Sequence, residues 1–178
     1  MATNQTQTVT LLGTRHDFEY ADTVAGYVTL LVRLVVGYWF LMAGWNKFAF
    51  VAGEPFTAAG YLANAQTPIA PLFQFVAGTP WLLELTNLMI PAGEFLIGLG
   101  IILGALTRLA AFFGGVLMTM FYLGNADWGH GFVNGDLMGL LLFVIVGAFA
   151  AGRIMGVDAI LEGTAFVDRH PKLRYLLG

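Results

Sequence analysis

The chain has no cysteine, only three histidines in 178 residues, and a charged fraction of 11%. Without a thiol it builds no disulfide relay, no thiolate nucleophile and no iron–sulfur cluster. His16, His130 and His170 all fall outside the long apolar runs, which excludes a haem held between two histidines inside a helical bundle. No glycine-rich strand–helix fingerprint for a dinucleotide occurs. A metal site would rest on His130 and neighbouring carboxylates with no ligand-spacing motif, so none is assigned. Electron transfer, if the chain takes part in it, needs a diffusible carrier such as quinone or a group on another subunit. The charged fraction is about half that of a soluble domain. A net charge of −3 with no basic aromatic patch speaks against nucleic acid.

What is there is apolar: 58% of the residues are hydrophobic, and 23 are glycine. Four stretches, residues 23–44, 82–106, 109–124 and 137–151, are each about long enough to cross a ~30 Å hydrocarbon layer, the last two with help from flanking residues. The expected fold is all-α, a polytopic membrane four-helix bundle with an outer interfacial loop containing short helices. Residues 1–22 read as a polar N-terminal tail, 23–156 as the transmembrane domain and 157–178 as a C-terminal extension. The Thr- and Gln-rich tail lacks a basic segment leading into an apolar one, so the first span is expected to serve as an uncleaved insertion signal. Arg15, Arg108, Arg153, Arg169, Lys172 and Arg174 fall on the side shared by both tails and the second interhelical turn, and Lys47 falls opposite. The positive-inside rule then puts both termini in the cytoplasm of a cell-membrane protein.

The connection over residues 48–80 is long for a compact domain and is expected to carry structure of its own. Pro55, Pro68, Pro71 and Pro80 punctuate it, and Phe56, Tyr61, Phe73 and Phe75 suit an ordered cap at headgroup level, with short helices over 56–65 and 69–76. Trp45, Trp81 and Trp128 sit at outer helix ends, where interface anchoring explains them. Gly100/Gly104, Gly114-Gly115 and Gly135/Gly139 read as close-packing positions.

Two apolar runs carry a charge at their centre, Arg33 in the first and Glu94 in the second. Ionisable groups at bilayer depth usually have a partner or a task. Steps of three and four put Thr29, Arg33, Gly37, Phe40, Gly44 and Lys47 on one helix face, and Glu84, Asn87, Pro91, Glu94 and Gly98 on another. Both charges lie near the middle of their runs, so the antiparallel arrangement predicts an Arg33–Glu94 pair. Such a pair fixes how two helices pack, or belongs to a polar site reached from outside through Asn87 and Glu84. Asp127, His130, Asn134 and Asp136 add polar groups at the outer end, and Asp136 is expected to cap the fourth helix.

In order along the chain, Arg33, Gly37, Gly44 and Lys47-Phe48, then Pro91, Gly98, Gly104 and Thr107-Arg108, then Asn134-Gly135-Asp136, and finally Ala151-Gly152-Arg153 with Gly156-Val157-Asp158 resemble the DoxX/DoxD family of small four-helix membrane proteins. The resemblance implies a membrane subunit working with quinone and a partner protein, as in thiosulfate:quinone oxidoreductase or a terminal quinol oxidase. The absence of cysteine stands against a covalent sulfur intermediate on this chain. On that reading Glu94, Arg33 and Glu84 are the expected catalytic residues, with Glu94 as proton acceptor, and Trp45, Lys47, Asn87 and Tyr122 are expected to bind the quinone. The alternative is a non-catalytic structural or assembly subunit of a larger membrane respiratory complex, with a small transporter third because four short helices leave little room for alternating access. The expected partners are the lipid bilayer and a partner subunit, or a homo-oligomer of the chain.

Overall fold

The structure, a computed structural model, describes residues 4–11, 13–65, 67–125 and 131–178. The polar tail forms an antiparallel hairpin of β1 (Asn4–Leu11) and β2 (Thr14–Ala21), with Asn4 opposite Ala21 and Gly13 turning at φ 82°. Apart from this appendage the fold is all-α. Helix α1 (Asp22–Trp45) is followed by three short helices, α2 (Ala49–Ala52), α3 (Ala59–Ala63) and α4 (Ala70–Gly78). Then come α5 (Pro80–Leu103), α6 (Thr107–Gly124) and α7 (Gly135–Ala148). A 3-10 turn at Ala151–Arg153 leads into α8 (Val157–Glu162), α9 (Ala165–Arg169) and a second 3-10 turn at Pro171–Tyr175.

Helices α1, α5 and α6 are long and apolar enough to cross a membrane. Their outward faces carry exposed Leu31, Val35, Leu88, Leu96 and Phe112, the pattern of helices solvated by lipid. Helix α7 is apolar but has 14 residues, about 21 Å, and is shorter than the expected fourth span. The apolar run continues past it, but Ala150 turns to φ 49° and ends the helix. Its N-cap is Asn134, whose side chain accepts from the Leu137 N–H. Asp136, the expected cap, instead accepts from the Asn125 amide at 2.9 Å.

Helices α1 and α5 meet backbone to backbone. A Cβ on Gly44 would run into Pro91 and Phe95, one on Gly98 into the Leu41 backbone, and one on Gly37 into Ile102. This register staggers the pair. α5 overshoots α1 at one end, and α1 overshoots α5 at the other, each by roughly 15 Å or more. The stretch between them is closed by α6 and α7, with the Phe143 ring lying on Gly114 and standing edge-on to Phe40 at 4.6 Å. Val36, Ile101, Met118 and Val146 complete this core.

The overshoot of α5 is covered by α2, α3 and α4, which form a cap with its own core of Ala58, Leu62, Ala65 and Phe73. Asn87 on α5 accepts the Ala58 N–H at 2.8 Å and ties the cap down. The expected short helices appear as α3 and α4. At the opposite, terminal end, α8 returns to the α5–α6 turn, where Gly104 takes φ 63° and accepts the Asp158 N–H at 2.8 Å.

Candidate functional site

Arg33 and Glu94, the charges central to their runs, do not meet. Arg33 is level with Gly104 at the terminal end, whereas Glu94 is level with Gly44 near the cap. The 11 positions from Arg33 to Gly44 span about 16 Å of helix. The expected Arg33–Glu94 pair is therefore corrected: being central in a run is not being at the same depth when the helices are staggered.

Arg33 is 2% exposed. Its Nη1 donates to the carbonyls of Ala151 at 2.6 Å and Ile154 at 2.7 Å, and Nη2 reaches that of Met155 at 3.5 Å. These carbonyls come from the 3-10 turn and the residues after it; that of Ala151 also accepts the Ile154 N–H at 3.2 Å, and carbonyls at a helix C-terminus suit a cation. Gly104 and Gly156 flank the guanidinium, and a Cβ on either would press on Nη1. Beside it, fully buried Asp158 accepts from Leu106 N and Thr107 N at the start of α6 and from Gly178 N, at 2.8, 2.9 and 3.1 Å. The Arg33 cage has the geometry of a clamp that pins α1 to the chain after α7.

Glu94, 3% exposed, has a different partner. Lys47 follows the end of α1 and bends back to place Nζ 2.6 Å from Glu94 Oε2 and 3.2 Å from the Ala43 carbonyl, where the helix C-terminus favours a cation. Nζ also lies 5.9 Å over the Phe56 ring.

Lys47 stands between two cavities. One, of about 450 Å³, lies under the cap and is walled by Phe56, Tyr61, Phe73, Ile90 and Phe121. The other, of about 290 Å³, is lined by Glu94, Tyr61, Asn125 and Asp136 beside Trp39 and Phe40. Lys47, Tyr61 and Phe121 face both. Burial, and secondarily the negative charge of Asp136, push the Tyr61 phenol above its ordinary range, so it stays a neutral donor.

Of the residues singled out from the sequence, the structure brings Glu94 and Lys47 together, with Asp136 lining the same smaller cavity, and leaves Glu84, Trp45, Asn87 and Tyr122 elsewhere. Glu84 is exposed and lines neither cavity. Trp45 packs in an aromatic group with Phe48, Phe50 and Phe95. Asn87 is occupied in holding the cap. Tyr122 donates to the Phe132 carbonyl at 2.8 Å and turns away from both cavities. Asp127, Trp128 and His130 lie outside the described residues. Among the described residues no cluster of three or more metal-ligating side chains occurs. Sequence reasoning missed Tyr61 as a site residue. Its signal was an isolated aromatic hydroxyl in a stretch otherwise built for packing. It also missed Asp158, which sits far along the chain from the N–H groups it accepts.

The DoxX family model matches residues 28–124, more than half of the 178 residues. No curated protein and no solved structure matches the chain. The chain belongs to the DoxX family, and it is an all-α, multi-pass membrane protein.

Proposed function

We propose that this DoxX-family chain is the quinone-interacting membrane subunit of an oxidoreductase, with the Lys47–Glu94 pair as its working centre. The observation that supports this is the position of that pair, a half-buried donor on a buried acceptor at the junction of an apolar cavity and one that carries polar side chains. A quinone needs an apolar slot for its ring and a hydrogen-bond donor at its carbonyl. The larger cavity has the volume and aromatic walls for the first. An ammonium has three donors, and Glu94 and Ala43 take two of those of Lys47.

Bound quinone would supply the redox chemistry, accepting two electrons from a reduced sulfur donor on a partner subunit, and two protons, to leave as quinol. The chain's own residues handle position and charge. The third proton of Lys47 is free to donate to a carbonyl oxygen, and its charge favours electron density building up there. Phe56 and Phe73 hold the ring and exclude water. A proton given up by Lys47 would be replaced through the Glu94 carboxylate, which takes it in turn from the polar cavity, where Tyr61, Asn125 and Asp136 lead toward the cap, and two such transfers supply both protons. Arg33 has no part in this chemistry. We place both termini in the cytoplasm, with the cap and cavities on the opposite side, on the strength of the lysine and arginine distribution.

The test is retention and rebinding of quinone. Wild-type protein purified in mild detergent should carry quinone, and Lys47→Met should bind an added short-chain quinone about tenfold more weakly, the value of one charge-assisted hydrogen bond. A preparation that holds a stoichiometric large partner and no quinone would point instead to an assembly subunit. Unchanged binding by Lys47→Met would remove this site from consideration.

A further inference from the structure

A third cavity lies on the lipid side of the bundle, away from the Lys47–Glu94 centre. It is a groove of about 440 Å³ between α6 and α7, floored by Ala111, Gly115 and Thr119, walled by Phe143 and Gly147, and closed at its terminal end by Arg108. It is apolar along its length except for that arginine and the Thr119 hydroxyl, which is spent on the Gly115 carbonyl at 2.8 Å. We propose that the groove binds one acyl chain of an anionic phospholipid whose phosphate is held by Arg108.

Position argues for lipid. Arg108 is the second residue of α6, a helix long enough to cross a membrane, so its guanidinium lies at the level of the headgroups. From Arg108 to Thr119 the groove runs about 16 Å. That is close to half of a ~30 Å hydrocarbon layer, the depth of a single leaflet. One lipid with its head at Arg108 would therefore fill the groove and stop where the groove stops.

Charge argues for an anionic head. Arg108 makes one long contact, 3.4 Å from Nη1 to the Arg174 carbonyl. That contact brings the turn carrying Lys172 and Arg174 alongside, while no carboxylate lines the groove. Arg174 is engaged with Asp168 at 2.8 Å, which leaves Arg108 as the cation at the groove. A guanidinium is suited to two-pronged binding of phosphate. A second copy of this chain fits less well. Two copies with the same membrane orientation would meet about an axis along the bilayer normal, setting Arg108 against its own symmetry mate.

The experiment uses the full chain, delipidated in detergent and titrated with phosphatidylglycerol or phosphatidylcholine, with binding read by native mass spectrometry. Wild type should prefer phosphatidylglycerol by about fivefold, the effect of one cation at a headgroup. Arg108→Gln should reduce that preference to near unity. Val116→Trp, at an exposed groove-lining position, should weaken both lipids together because it fills the slot. Equal binding of the two lipids by wild type, or an unchanged preference in Arg108→Gln, overturns the proposal. So does unchanged lipid binding by Val116→Trp, or a wild-type dimer that retains no lipid and is broken by that variant.

Discussion

The two ends of the bundle each draw a cation and an anion inward, and they do it in opposite ways. At the terminal end Arg33 is surrounded by backbone carbonyls and glycines, and Asp158 by backbone N–H groups, so each charge is met by fixed dipoles. At the cap end Lys47 and Glu94 meet each other, and the pair borders two cavities. Charges solvated by main chain hold a fold in register. Charges paired side chain to side chain at a cavity keep capacity for a visitor. A buried ion pair is weak evidence for stability, and here the charge that faces no side-chain partner is the stronger structural element.

The largest expected effect breaks the terminal end. Arg33→Met removes two short charge-assisted bonds at roughly 1.5–3 kcal/mol each, so about 3–6 kcal/mol of stability should go. Arg33→Lys should recover only part of it, since an ammonium lacks the planar fork that reaches several carbonyls at once. Thermal unfolding in detergent measures both. The comparison fails if Arg33→Met unfolds like wild type, or if the folded fraction of Arg33→Lys loses quinone binding, because the clamp would then be part of the site.

The second effect concerns the cap end. Glu94→Leu and Lys47→Met should each destabilise, and the double change Lys47→Met with Glu94→Leu should cost less than the sum, with a coupling of about 1–3 kcal/mol. Lys47 is 29% exposed, so the lower part of that range is expected. The double variant should fold and yet bind no quinone. Simple additivity would mean that the pair is not coupled. Retained quinone binding in the double variant would leave the pair a packing device like Arg33.

These contrasts show what the sequence could and could not reveal. The buried face of α1, with Thr29, Arg33, Gly37, Phe40 and Gly44, is legible because helical periodicity marks it directly. The stagger of α1 against α5 is not, because hydropathy bounds a run without fixing its depth. The register was nevertheless encoded in the glycines: Gly37 and Gly44 on one helix and Gly98 on the other mark where backbones touch, and matching them sets Glu94 beside the end of α1. The short α7 was hidden because residues 149–151 are as apolar as the helix they follow, and only the backbone at Ala150 ends it. Asp158 was hidden because it occurs in a stretch that looks solvated, while its donors lie 51 and 52 positions away.

A smaller effect at the terminal end sharpens that last point. Asp158→Asn keeps one acceptor oxygen but turns an amide N–H₂ toward backbone donors that now point at a carboxylate. A lost helix cap costs about 1–2 kcal/mol. Because Gly178 N shares the same oxygen as Thr107 N, the residues after α9 should loosen as well. Limited proteolysis should then cut within residues 165–178 sooner than in wild type while the helical core persists. Equal cutting rates would mean that this segment is held by other contacts.

The smallest effect separates a dry cap cavity from an open one. The Tyr61 phenol is pushed up by burial first and by Asp136 second. The folded state therefore keeps that proton where the unfolded chain releases it. Stability from this group is complete below the ordinary phenol range and falls as pH rises through it. The phenolate absorbance of wild type minus Tyr61→Phe should show one group titrating later than the other tyrosines, and alkaline destabilisation should be milder in the variant. Asp136→Asn should bring the Tyr61 titration only part of the way back, since burial is the larger cause. A difference spectrum that titrates in the ordinary range would mean that water reaches Tyr61 freely. The cap end could not then hold a ring in an apolar slot beside Lys47, and its contrast with the closed terminal end would lose its functional meaning.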